Sequence, residues 1–472
     1  MSDVKNFHFF MFPWLAFGHM IPYVELAKLL AEKGHKISFF STPKNIQRLP
    51  KLPPNFKPHI EFITLQLPHV ENLPENAEAT SDLPYNKVRY LKIAFDRLQE
   101  SMPKLIESIY PDFVIQDFAS YWLVPITEKL QIPTIYFSIF PATCLSLGGI
   151  PSSIINGDND RVKPEDFTVK PKWVTFETNV RPSFYQIQRM FNDLVIDGGN
   201  VSDIYRLAVT VKGVDVVAIR SCYEFEGEWL QVIENIYEKP IIPIGLLPTT
   251  SYDDGEEDNN ETWLEMKAWL DMQQKGSVVY IAFGSETKPS QDELTIIALG
   301  LELSNLPFFW VFRKQRGCAD SKVIELPEQF EERTKGRGFI CTSWAPQLKL
   351  LNHESIGGFL THSGWSSVIE AVQFEKPLIL LPFLADQGMI CSHLTEKKLG
   401  YPIFRNELDG SFTKECVAKS LRLVMVEEKG KIYSQNVKEM KESCSKDVQQ
   451  RFVDNLLAYL QSHKRFQRRE SN

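Results

Sequence analysis

Two groups of residues in this 472-residue chain have the types and spacing that group-transfer chemistry needs. The first lies toward the C-terminus. Gly364-Trp365-Ser366-Ser367 opens a helical pattern, and free N–H groups with the positive end of the helix dipole suit a diphosphate. His362 and the two serines add hydrogen-bond donors. Glu370 falls three residues after Ser367, so both project from one face a turn apart, where a carboxylate can accept both hydroxyls of a ribose. Trp344 offers a flat face to a base, and Gln347 can present it with both a donor and an acceptor. Asp386 and Gln387 can grip the hydroxyls of a hexose. The second group is His19 and Asp117, an imidazole and a carboxylate far apart in sequence. A hydrogen bond between them would orient the ring to take a proton from a substrate hydroxyl. A helix N-terminus disfavours imidazolium, so His19 is expected to be neutral.

These residues need elements to hold them, and the pattern supplies strand ends. An apolar strand, Phe7 to Phe12, runs through Gly18-His19 into a helix with Ile21, Val24, Ala27 and Leu30 on one face. Gly34 stops that helix and a strand follows at Lys36 to Ser41. The β-α-β theme recurs with a strand at Asp112 to Gln116, a helix from about Tyr121 to Leu130, and a strand at Thr134 to Ser138. After a polar, acidic stretch between Thr249 and Thr262 the alternation restarts, with Val278 to Phe283, a helix opened by the Ser290-x-x-Glu293 capping box, and Phe308 to Phe312. In open parallel sheets ligands bind outside the carboxyl ends of strands. Gly284-Ser285, Trp344-Ala345-Pro346-Gln347, His362-Ser363-Gly364 and Asp386-Gln387 follow four predicted strands, read here as neighbours. Leu378 to Phe383 is read as the final strand, with helices from there to the end. The expected class is α/β with two Rossmann-like domains: 1–245, a linker at 246–262, 263–450, and a C-terminal helix and basic tail at 451–472. Which domain that last helix packs on is left open.

Composition narrows the function. The formal charge is -8 and no basic stripe runs through the body of the chain, so a nucleic-acid partner is not expected. The basic tail at Lys464, Arg465, Arg468 and Arg469 reads as a solvated terminus. Seven cysteines without a Cys-x-x-Cys pair read as reduced core residues, Cys318 among them, and no signal peptide or transmembrane segment is evident. A soluble, cytoplasmic, monomeric enzyme is expected. Asp158-Asn159-Asp160 has a metal-like spacing but sits among turn formers and reads as a turn, and no metal is expected. A nicotinamide enzyme lacks its Gly-x-Gly-x-x-Gly after the first strand. A non-catalytic nucleotide-sugar sensor is disfavoured by the presence of both His19 and Asp117.

The segment from Trp344 to Gln387 closely resembles the signature box of plant family 1 UDP-dependent glycosyltransferases. The likeness extends from Trp14-Leu-Ala-Phe-Gly-His19 through Arg220-Ser-Cys-Tyr-Glu-Phe-Glu226 to Phe283-Gly-Ser-Glu286. It implies the GT-B architecture, two Rossmann-like domains facing each other across a cleft. It implies that Trp344 stacks on uracil within a donor site including Ala345, that Gln347 holds the nucleoside, and that Glu370 holds the ribose. His362, Ser285 and Ser367 would hold the diphosphate together with the Gly364-Trp365 helix start, and Asp386 and Gln387 the donor sugar. His19 would be the general base, Asp117 its partner, and the reaction an inverting displacement. The box more often carries Cys at Ser363 and Asn at Ser366; Ser366 keeps a donor there. The Ser-Gly-Trp-Ser-Ser form is similar to a branch that adds sugars to existing sugars. The expected co-substrate is a UDP-sugar, with glucose favoured over rhamnose, and no cofactor. The expected acceptor is a small hydrophobic or glycosylated molecule held near Trp14, Phe118, Tyr121, Ser138 to Thr143 and the Phe184 to Phe191 region.

Overall fold

Strand β1 (His8–Phe12) shows why this sequence folds as a layered parallel sheet. Phe9 and Met11 enter one core and Phe10 and Phe12 another, all four without solvent exposure. A strand covered on both faces reads as a continuous apolar run rather than an alternation. The computed structural model describes residues 6–196, 201–250, 261–287, 289–312 and 325–462. Most of the acidic stretch, Cys318 and the basic tail at Lys464, Arg465, Arg468 and Arg469 lie outside the described residues.

β1 is joined by β2 (Lys36–Ser41), β3 (Ile60–Thr64), β4 (Phe113–Gln116), β5 (Thr134–Ser138), β6 (Val216–Ile219) and β7 (Ile241–Pro243). They form one parallel sheet in the order β3-β2-β1-β4-β5-β6-β7. The second sheet holds β8 (Val278–Ala282), β9 (Phe308–Val311), β10 (Gly338–Cys341), β11 (Ile356–Thr361), β12 (Leu378–Leu380) and β13 (Gly400–Pro402). Its order is β10-β9-β8-β11-β12-β13, again parallel throughout. Each order reverses once, between β1 and β4 and between β8 and β11. At such switch points adjacent connections leave to opposite faces and open a crevice at the carboxyl edge.

Several expectations are corrected. The strand ends carrying the C-terminal site are not four neighbours, because β9 lies between β8 and β10. Leu378 to Phe383 is not the last strand: β13 follows it, too short at three residues to show a period. The helix Phe17–Glu32 is not one-sided. Tyr23, Leu26 and even Glu25 and Lys28 are buried, because the C-terminal helix Lys446–Ser462 lies against its outer side. Glu25 and Lys28 tolerate this burial by pairing at 2.9 Å, with the Thr250 hydroxyl donating to Glu25. That C-terminal helix begins at 446 rather than 451. Its Val453, Leu456, Leu457 and Leu460 enter the same core as Phe9 and Met11, so the chain crosses back to finish on the first sheet.

Candidate active site

The His19–Asp117 pair sits at the first switch point. β1 ends at Phe12, a turn through Trp14 follows, and the helix starts at Phe17, which places His19 in its first turn. β4 ends at Gln116, which puts Asp117 next, fully buried. One Asp117 oxygen accepts from the Phe118 N–H at 2.7 Å; the other accepts from the Trp14 N–H at 3.0 Å and from His19 Nδ1 at 2.7 Å. Because the carboxylate can only accept, His19 carries its proton on Nδ1 and leaves Nε2 as the acceptor. Phe140 and Phe118 flank the ring, with centroids at 5.5 and 5.7 Å.

The expectation that the helix terminus sets the charge state of His19 is corrected. Burial does work to lower its pKa, but the Asp117 charge and hydrogen bond, with Glu286 and Asp386 farther off, bring it above the ordinary 6.5. A full carboxylate charge in contact outweighs the half charge of a helix end. We therefore expect kcat/KM to rise with pH through a midpoint above 6.5 as His19 loses its proton. Asp117→Asn should move that midpoint down. A pH profile with the same midpoint in both proteins would remove His19 from the titration. The linked stability has the opposite sense: protonated His19 stabilises the fold below 6.5, and this contribution is lost as pH rises through the folded pKa.

The second switch point supplies the other wall. β11 leads into His362, then Gly364 and the helix Trp365–Gln373, whose N-terminus has no side-chain cap. Backbone N–H groups of that first turn are open to a ligand. His362 is packed closely between glycines: a Cβ on Gly284 would meet its ring at 2.9 Å, and one on Gly364 would meet its Nε2. Gly284 also has φ +72, which an L side chain rarely adopts. Burial lowers the His362 pKa to about 4, so the ring is neutral rather than a cation at neutral pH.

Glu370 accepts from the Gln347 amide at 2.5 Å and the Thr249 hydroxyl at 3.0 Å, while Tyr280 donates to the Gln347 carbonyl at 3.2 Å. Burial raises the Glu370 pKa, and these donors act against it. The Gln387 carbonyl accepts from the Phe383 and Leu384 N–H groups at 3.0 and 3.1 Å, which fixes its orientation and turns its NH₂ toward Thr287 at 3.4 Å. Trp344 is 59% exposed. One cavity of about 2190 Å³ runs between the two sheets and takes its lining from both switch points. His19 lines it, as do Ser285, Trp344, Ala345, Gln347, His362, Gly364, Trp365, Ser366, Ser367, Glu370, Asp386 and Gln387.

Residues 202–453 match the family model described as UDP-glucoronosyl and UDP-glucosyl transferase. The chain is 50% identical over 464 residues to UDP-glycosyltransferase 91A1 of Arabidopsis thaliana, covering 97% of each. The chain belongs to the plant family 1 UDP-glycosyltransferases. This glycosyltransferase is also 40% identical to soyasaponin III rhamnosyltransferase of Glycine max, covering 98% of this chain and 97% of that one. A UDP-glycosyltransferase of Medicago truncatula, solved with UDP-glucose, superposes with a TM-score of 0.72 at 25% identity, covering 98% of this chain and all of that one. The chain is thus an enzyme with the GT-B fold.

Within the glycosyltransferase some expected site residues do other work. Tyr121 and Ser138 are not on the cavity. Tyr121 lies past the short turn Phe118–Ser120, under the Arg206 guanidinium at 5.0 Å, and the Ser138 hydroxyl turns back to the Phe140 main chain. Trp14 and Phe118 do line it, as do Ile139, Phe140, Ile187, Met190 and Phe191. The Trp365 indole is buried in the domain junction, donating to the Arg220 carbonyl at 2.9 Å, so only its main chain can serve a ligand. Gln387 spends its carbonyl capping its own helix, which leaves its NH₂ to donate into the cavity. Tyr280, Thr249 and Thr287 carried no sequence signal, being single polar residues in ordinary contexts. Arg220, Glu226 and Glu286 lay within a matched stretch without an assigned role. Glu226 caps the helix Ala142–Gly148 through the N–H groups of Ala142 and Thr143, at 2.9 and 2.8 Å, while Glu286 takes a 2.5 Å hydrogen bond from Thr80 across the cleft. Asp160 of the metal-like stretch pairs with Lys172 at 2.7 Å. Among the described residues, no group of three or more His, Cys, Asp and Glu side chains could hold a metal ion, and no helix is long and apolar enough to cross a membrane.

Proposed function

We propose that the enzyme transfers a hexose, glucose in preference to rhamnose, from its UDP-sugar to a hydroxyl of a small plant metabolite or its glycoside, with inversion. The observation that carries this reading is the 2.7 Å His19–Asp117 pair lining the same cavity as the uncapped helix start at Gly364. Nε2 of His19 takes the proton of the acceptor hydroxyl as its oxygen attacks the anomeric carbon, and Asp117 stabilises the imidazolium that forms. The C–O bond to UDP breaks on the opposite face. The charge that develops on the diphosphate is met by the Trp365–Ser367 N–H groups, His362, Ser285 and Ser367. Trp344 stacks on the base, Gln347 and Glu370 hold the nucleoside, and Asp386 and Gln387 hold the sugar. A cavity walled by Trp14, Phe118, Phe140, Met190 and Phe191 suits a largely apolar acceptor, and its volume leaves room for a sugar already attached. The reaction is expected in the cytoplasm without a metal.

A carboxylate at Asp386, beside an amide limited to donating, suits vicinal hydroxyls and disfavours a uronic acid, whose charge would face it in a partly buried site. The relatives divide on the sugar: the Glycine max enzyme is named for rhamnose, the Medicago structure holds UDP-glucose. The test is kcat/KM for UDP-glucose, UDP-rhamnose and UDP-glucuronate, with products identified by mass spectrometry over aglycones and their monoglucosides. UDP-glucose should be preferred, and Asp386→Ala should weaken its use more than UDP binding. A clear preference for either other donor would overturn the glucose reading. Activity should also survive exhaustive chelation; loss restored by Mg²⁺ or Mn²⁺ would replace the helix-based account of the leaving group.

A further inference from the structure

Arg220, immediately after β6, is a 1% exposed guanidinium beside the donor half of the cavity. Its Nε donates to the Leu246 carbonyl at 2.7 Å, one terminal nitrogen to the Leu247 carbonyl at 2.9 Å, and the other to Ser366 Oγ at 2.7 Å. These partners are neutral dipoles. They give each of its three nitrogens a hydrogen-bond acceptor without cancelling the charge, and Glu370 and Glu25 act on it only through space. A buried cation thus bonds directly to the hydroxyl of Ser366, the second residue of the uncapped helix start.

The geometry of that hydroxyl matters. A serine has one proton to donate, and when its oxygen already accepts from a guanidinium, the proton must point elsewhere. Both residues line the cavity, and Ser366 belongs to the uncapped helix start that opens on it. Accepting from a cation also makes the hydroxyl a stronger donor. The main chain closes the clasp from the other side, since the Trp365 indole donates to the Arg220 carbonyl at 2.9 Å. We propose that Arg220 is a positioning residue for the donor diphosphate, reaching from the N-terminal domain to hold and polarise Ser366 so that its proton is aimed at a phosphate oxygen. The site is then completed by both domains, and formation of the domain junction and of the diphosphate site is one event. This rests on the UDP-sugar reading above.

The test is calorimetric titration of the full-length protein with uridine and with UDP, since only UDP carries the group concerned. Wild type should bind UDP more tightly than uridine. Arg220→Gln and Ser366→Ala should each weaken UDP by roughly 10- to 100-fold, the usual worth of a hydrogen bond to a charged group, with uridine affinity held within about twofold. The double variant should be no worse than either single one, because the two act in series. Ser366→Asn, which keeps an acceptor and a donor, should retain most of the UDP affinity. If Arg220→Gln fails to give a cooperative melt, Ser366→Ala carries the test alone, as it leaves the Arg220 bonds to Leu246 and Leu247 in place. Equal losses for uridine and UDP, unchanged UDP binding in Ser366→Ala, or additive losses in the double variant would each overturn the proposal. Wild type that binds uridine and UDP equally would instead withdraw the diphosphate reading itself, and this inference with it.

Discussion

His19→Ala is expected to lower kcat by roughly 10²- to 10⁴-fold while leaving UDP affinity within about twofold, because a positioned general base contributes to the transition state and not to nucleotide binding. The structure makes the separation clean. His19 lies on the first domain with its partner Asp117, and Trp344, Gln347 and Glu370, proposed to hold the nucleoside, lie on the second. Removing the imidazole also vacates one of the two bonds to Asp117 Oδ2, but the Trp14 and Phe118 N–H groups still hold the carboxylate. The fold should therefore survive, which a thermal melt can verify. Asp117→Asn should cost less turnover, since the ring remains but is poorly held. Asp117→Ala should cost more stability than either, because two buried N–H groups lose their acceptor at about 1–3 kcal/mol each. Near-normal turnover in His19→Ala would put the base elsewhere.

The second large effect is expected at Trp344. A tryptophan 59% exposed at the rim of a cavity contributes little to the core, so truncating it should leave stability almost unchanged. Stacking of an aromatic side chain on a base is worth about 1–3 kcal/mol, so Trp344→Ala should raise the Kd for UDP by roughly 10- to 100-fold. Uridine should lose the same factor, in contrast to the variants at Arg220 and Ser366, because the contact is with the base. Trp344→Phe should recover most of the affinity. The direct check is titration with UDP and uridine; unchanged Kd values in Trp344→Ala would mean that the base lies elsewhere.

What the sequence determined by itself was whatever short-range chemistry controls. The apolar runs of β1 and β11, the Ser290-Glu293 capping box, the glycine at the N-terminus of the helix Trp365–Gln373, and the close spacing of Ser367 and Glu370 are local patterns, and local patterns specify elements and the groups at their ends. That is why His19 and Asp117, each just past a strand, could be paired across a sequence separation of 98 once a parallel sheet was inferred. The tertiary structure decided what depends on residues distant in sequence. The direction of the His19 pKa shift was misjudged although its pairing with Asp117 was foreseen, because the balance of burial against the Asp117, Glu286 and Asp386 charges is set by packing distances that local sequence does not carry. Tyr121 and Ser138 were placed near the acceptor by sequence neighbourhood, but side-chain direction at a turn follows packing, here against Arg206 and the Phe140 main chain. The return of the helix Lys446–Ser462 to the first sheet had no signature, because an amphipathic helix encodes that it needs an apolar partner and not which one. The same holds for Arg220 and Ser366, separated by 146 positions: neither residue alone indicates the other, and only the closed domain junction brings the guanidinium to the hydroxyl.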